Sequence, residues 1–163
     1  MASFDSLIRQ QFLALLNGAQ AHMTFDMIVA EMPLAAANTK APFFSYTPWH
    51  LVEHMRIAQH DILEFVLDPE YRSPPWPEGF WPAEDAIVDQ GGWQDSLARY
   101  RRDLERVQDL VRAPETDFFA PILHAPDYTI FRQILLVADH NAYHLGELIT
   151  LRQALDALPP DKW

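Results

Sequence analysis

Apolar positions along this chain recur with a helical period, and no other pattern competes with it. Phe4, Leu7, Ile8, Phe12 and Leu15 form one stripe down a helix for which Ser3 supplies a capping hydroxyl. Asn17-Gly18 interrupts that stripe, and Thr24 can restart a helix through about Met32. Thr47-Pro48 joins a capping hydroxyl to a proline suited to the first helical position. A second long helix is therefore expected from there to about Leu67, before Asp68-Pro69. A third begins near Trp93, where Trp93, Leu97, Tyr100, Leu104, Val107 and Val111 alternate four- and three-residue steps with charged residues between, as in a bundle helix. A fourth is expected from about Tyr128 to Leu158, stopping at Pro159-Pro160. Glycine is rare, with 5 residues, and no Asn-Gly or Asp-Gly hairpin dipeptide occurs, so the fold class is all-α.

Between the second and third long helices lies a stretch over 68–92 holding Pro69, Pro74, Pro75, Pro77 and Pro82. A connection this long can cross the end of a bundle, which makes the helices it joins run roughly parallel. Its aromatics Tyr71, Trp76, Phe80 and Trp81 need a surface to pack on. They are expected to form a lid over the bundle end, to wall a ligand pocket, or both.

Length and charge narrow the function. At 163 residues the chain reads as one domain, 1–163, able to bury a core without staples. It has no cysteine, which removes disulfides, thiolate metal sites and thiol nucleophiles together. Acidic residues number 23 against 12 Lys and Arg, a net charge of −11 that repels phosphate backbones and anionic lipid. Nucleic-acid and membrane roles are thereby disfavoured. No apolar run approaches the ~20 residues of a membrane-spanning helix, and the first residues lack the pattern of a secretory signal. The expectation is a soluble cytoplasmic protein.

Histidine is the chemical resource that remains, at positions 22, 50, 54, 60, 124, 140 and 144. His140 and His144 share an apolar stripe with Val137 and Leu148, and His54 shares one with Leu51, Ala58, Ile62 and Phe65. One core histidine is ordinarily a satisfied side chain. Three on the inner faces of two helices each need partners for two ring nitrogens, and a shared metal ion satisfies all three at once. The four-residue spacing of His140 and His144 puts both rings on one side of the helix, where they can chelate. A competing pattern is His50-Leu51-Val52-Glu53-His54, which matches the His-x-x-Glu-His of inverted zinc proteases. Glu53, Arg56 and His60 share a polar stripe that reads as facing water, which weakens it. His60 accordingly reads as a solvated residue, and His22 and His124 as incidental loop histidines.

These residues resemble a known family. Tyr46-Thr47-Pro48-Trp49-His50-Leu51-Val52-Glu53-His54-Met55 resembles the second-helix signature of the DinB-like (DinB/YfiT) superfamily. Asp139-His140-Asn141-Ala142-Tyr143-His144-Leu145-Gly146-Glu147-Leu148 resembles its fourth-helix signature, with Glu147 where Gln is common. The resemblance implies an up-down-down-up four-helix bundle with a divalent ion, zinc or nickel, held near one end by His54, His140 and His144. Some relatives are S-transferases or isomerases using bacillithiol, mycothiol or glutathione, so a low-molecular-weight thiol is an implied cosubstrate. A homodimer is a further expectation.

Three imidazoles leave a coordination position for water or substrate, the arrangement of a catalytic centre. The first functional reading is therefore a metal-dependent enzyme acting on a small molecule, with thiol transfer ahead of hydrolysis on the resemblance alone. The second is a metal-dependent or small-molecule binding protein without turnover.

Overall fold

The computed structural model describes residues 3–18 and 20–157. Helices α1 (Phe4–Asn17), α2 (Phe25–Val29), α3 (Leu34–Ala37), α4 (Pro48–Leu67), α5 (Gln90–Arg112) and α6 (Ile130–Ala154) carry the architecture. Three of the start signals work as the sequence implies. Ser3, Thr24 and Thr47 each accept a hydrogen bond from the backbone N–H three residues on, and Thr129 does the same at α6. At α4, Pro48 takes the first helical position and His50 closes a capping box, its Nδ1 accepting from the Thr47 N–H at 3.2 Å. At α5 the cap is Asp89, ahead of the expected start near Trp93, and it holds the Gly92 N–H at 2.7 Å.

Two differences from the sequence reading concern α6. Ala125–Thr129 is a strand, β2, paired antiparallel with β1 (Pro121–Ile122), so Tyr128 belongs to a hairpin and the helix begins at Ile130. The hairpin lacks an Asn-Gly turn. It is tied to the helices through tertiary contacts, with His124 Nε2 donating to the Phe65 carbonyl oxygen at 2.7 Å and Tyr128 packed edge-on against Phe65. The other end of α6 falls at Ala154, where Asp156 takes a left-handed backbone (φ 50°) and the Ala157 N–H bonds back to the Arg152 carbonyl. The expected stop at Pro159-Pro160 lies outside the described residues.

Side-chain pairs give the relative directions of the helices. Between α4 and α5 the partners rise together: Gln59 to the Tyr100 carbonyl, His60 to Asp103, and Arg106 to Glu64. Between α4 and α6 they run oppositely, with His54 meeting His144 and Gln59 meeting Asn141. The long segment from α4 to α5 thus carries the chain back to the end at which α4 begins. Side chains of other elements pin this crossover. Asn38 exchanges two hydrogen bonds with Val88, at 2.8 and 2.9 Å, and His50 Nε2 donates to the Ala86 carbonyl at 3.0 Å. Gly79 sits where a Cβ would lie 2.5 Å from Pro74 Cβ, so the tight 3₁₀ turn Glu78–Phe80 has no room for a side chain there.

The core is divided. One apolar cluster joins Leu51, Val52 and Met55 of α4 to Trp93, Leu97 and Tyr100 of α5 and to Leu145, Leu148 and Leu151 of α6. A second joins Leu63 of α4 to Val107 and Val111 of α5, to Ile134 and Val137 of α6, and to Phe12 of α1. Between them every long core helix places polar groups: His54 and Gln59 on α4, Asp103 on α5, and His140, Asn141 and His144 on α6. On α6 His140 and His144 lie between the residues of the two clusters, and on α4 His54 lies beside Val52 and Met55 of the first. Arg152, fully buried, closes the first cluster by donating to the carbonyl oxygens of Ile28, Ala30 and Ala157. A guanidinium there caps the buried C-terminal end of short α2, whose last carbonyls have no helical partner.

Candidate metal centre

His54, His140 and His144 come together although 86 and 90 residues separate the two helices' contributions. His54 Nε2 lies 3.2 Å from both His140 Nε2 and His144 Nε2, and the candidate ligand atoms all fall within 4.8 Å of one another. His54 and His144 are 4% and 8% exposed, and His140 is half-buried.

The outer partners of two rings decide what the inner nitrogens can do. His54 Nδ1 faces the Phe80 carbonyl oxygen at 2.9 Å, which only accepts, so Nδ1 carries the hydrogen. His144 Nδ1 faces a Glu147 carboxylate oxygen at 2.5 Å and carries a hydrogen for the same reason. In the neutral rings both Nε2 atoms are then bare lone pairs, aimed at one another across 3.2 Å. Two acceptors at that distance repel unless a cation lies between them. A carbonyl or carboxylate behind each ring is the support that metal-bound histidines need. Tyr46 extends the chain by donating to the other Glu147 oxygen at 3.1 Å, and the burial and the Glu147 charge push that phenol up to about 12. Trp81 lies flat on His54, 3.9 Å between centroids, and fixes the ring plane.

Protonation opposes the site less than for free imidazole. Burial lowers His54, and burial followed by the neighbouring His144 and His54 lowers His140 to about 3. Those two rings are therefore held toward the neutral form that ligation requires. His140 Nδ1 is buried without a partner, and so is Oδ1 of adjacent Asn141.

The other histidines are engaged elsewhere. His50 uses both nitrogens, on Thr47 and Ala86, so it has no free donor for a metal. Glu53, expected in a stripe facing water, instead accepts from Arg56 at 2.6 Å and from Ser96 of α5 at 2.8 Å, and Arg56 itself is buried. The His-x-x-Glu-His pattern thus knits α4 to α5 and assembles no protease centre. His60, expected as a solvated residue, pairs through Nδ1 with Asp103 at 2.9 Å, and Asp103 is 1% exposed. His22 donates to the Met23 carbonyl and His124 to that of Phe65. Glu147 gave one sequence signal, its position one turn beyond His144. Trp81, with Trp76 and Phe80, walls the cleft beside the histidines as the crossover aromatics are expected to do, whereas the hydrogen bond of Tyr46 to Glu147 depends on how its loop folds back.

A mostly helical protein with a buried cluster of three histidines, backed by a carbonyl and a carboxylate, is a class of fold able to hold one metal ion. The family comparison agrees: the model described as the DinB superfamily matches residues 18–148, and the chain belongs to that superfamily. No curated protein and no solved structure matches it. Among the described residues, no helix is long and apolar enough to cross a membrane.

Proposed function

We propose that this protein is a metal-dependent enzyme of small-molecule chemistry in which His54, His140 and His144 hold one divalent ion, zinc or nickel. The observation that carries the reading is the pair of lone pairs, on His54 and His144, turned toward each other by the Phe80 carbonyl and the Glu147 carboxylate. With three neutral imidazoles and an open position, such an ion supplies Lewis acidity and lowers the pKa of a bound water or thiol. Within the protein, Glu147 holds the His144 hydrogen and keeps its ring oriented, while Tyr46 keeps Glu147 in place. Asp139 borders the histidines on α6 and offers a carboxylate for proton transfer. A low-molecular-weight thiol is the proposed cosubstrate, with thiol transfer preferred to hydrolysis. We read the whole chain as one up-down-down-up four-helix-bundle domain working in the cytoplasm as a homodimer.

Elemental analysis of protein purified without chelator tests the site. One equivalent of Zn or Ni is expected in the native protein and none in His54→Ala or His144→Ala. If the native protein takes up no Zn, Ni, Mn or Co at saturation, or if His144→Ala keeps its ion, the reading is wrong.

A further inference from the structure

Beside the histidines lies an open cleft of about 510 Å³, the size of a small-molecule site. Its walls are mostly apolar, with Ile62 and Leu136 from the helices and Trp76, Phe80 and Trp81 from the crossover. Its charged groups are Asp61 and Asp139, and neither Lys nor Arg lines it. Asp61 follows His54 by seven residues on α4, which puts it on the same helix side about 10 Å further along the axis.

Asp61 reaches the cleft wall from α4, half-buried, with the Tyr71 phenol beside it. A carboxylate in a mostly apolar cleft favours a ligand group that brings positive charge and hydrogen-bond donors to it. The guanidiniums of α4 and α5 are occupied elsewhere: Arg56 on Glu53 and Arg106 on Glu64. The Tyr71 phenol, pushed up to about 12 by burial, then by the Asp61 charge and its hydrogen bond to Asp61, is the neighbour that feels this carboxylate. Trp76, largely exposed, adds a ring face of the kind that attracts cations.

Resting on the reading that this cleft receives a small molecule at a metal site, we infer that it selects a ligand bearing a protonated amine or guanidinium, with Asp61 as the counter-ion and the ligand's other end at the histidines. An anionic ligand would approach two carboxylates with no protein cation in the cleft to offset them. The span between the two anchor points is two helical turns, so an elongated molecule is favoured over a compact one.

Zn(II)-loaded protein titrated with octanohydroxamate and with 8-aminooctanohydroxamate tests this, because the hydroxamate reports on the metal and the amine on Asp61. The amino compound should bind about ten- to a hundredfold more tightly, the range of a charge-assisted hydrogen bond. Asp61→Asn should erase that preference and Asp61→Glu should retain part of it, with thermal melts confirming that both variants fold. Equal affinities in the native protein, or a preference unchanged in Asp61→Asn, would overturn the inference. If neither hydroxamate needs metal to bind, the metal reading fails by itself. In that case tryptophan-fluorescence titration of metal-free protein with hexylamine and 1-hexanol decides the amine preference, and equal binding overturns it.

Discussion

Removing His144 should affect stability by an amount that depends on whether metal is present, and the ring geometry sets both parts. Without metal, the substitution His144→Ala loses the Glu147 hydrogen bond and the edge contacts with Tyr143 and His54. It also removes one of two lone pairs opposed at 3.2 Å, and Tyr46 still donates to Glu147. These effects partly cancel, so the metal-free variant should lose only about 1–2 kcal/mol. With metal at one hundred times its Kd, the native protein gains about 2.7 kcal/mol by mass action. For a chain of this size that is a rise in Tm of about 5–11 °C. The variant keeps two of three ligands and should show almost none of that rise. Thermal melts of both proteins, with chelator and with added Zn(II) or Ni(II), read the two parts separately. A native Tm that ignores metal, or an equal rise in His144→Ala, would refute the reasoning.

Two further outcomes follow from polar groups near the site. His60→Ala should leave the metal-dependent rise in Tm intact but destabilise the protein by about 1–3 kcal/mol, because Asp103 Oδ2 has no other hydrogen-bond donor; denaturant midpoints of chelated protein measure it, and an unchanged midpoint would return His60 to a bystander. Chelated protein should also lose stability as pH falls below about 6.5, the ordinary histidine value. Burial lowers His50, His54 and His140, so the unfolded chain takes up protons that the native chain resists. The contribution is complete above that pH and declines by about 1.4 kcal/mol per unit for each group, continuing for His140 toward about 3. Urea midpoints at pH 7.5 and 5.5 that coincide would count against it.

The part of this structure legible in the sequence is the part governed by local chemistry. Thr47-Pro48 starts α4 because a hydroxyl satisfies an end N–H and proline lacks one. His140 and His144 lie on one side of α6 because four residues make about one turn. Periodicity also placed His54 on an inward face. It failed for Glu53, Arg56 and His60, which it assigned to water, because a stripe identifies a helix face without saying what the next helix puts opposite it. Here α5 presents Ser96 and Asp103 to α4, and those partners turn a polar stripe into a buried seam.

The same limitation explains why the histidine cluster becomes apparent only in the fold. Along α4 the order Leu51, Val52, His54, Met55, Gln59, Leu63 shows only a few polar residues among apolar ones. The polar level becomes visible when α6 runs the other way and sets His144 and Asn141 against His54 and Gln59. Antiparallel packing brings together polar residues that the chain keeps far apart, and the low dielectric of the flanking clusters makes each unpaired group there expensive. Gln59 and Asn141 settle much of that cost by bonding to each other and to the Tyr100 carbonyl. The three imidazoles do not settle theirs within the chain: their outer nitrogens have a carbonyl, a carboxylate and nothing, and their inner nitrogens have only each other. A polar level that a protein keeps at such a position, with lone pairs converging from two helices, is better explained by an ion it is built to hold than by packing.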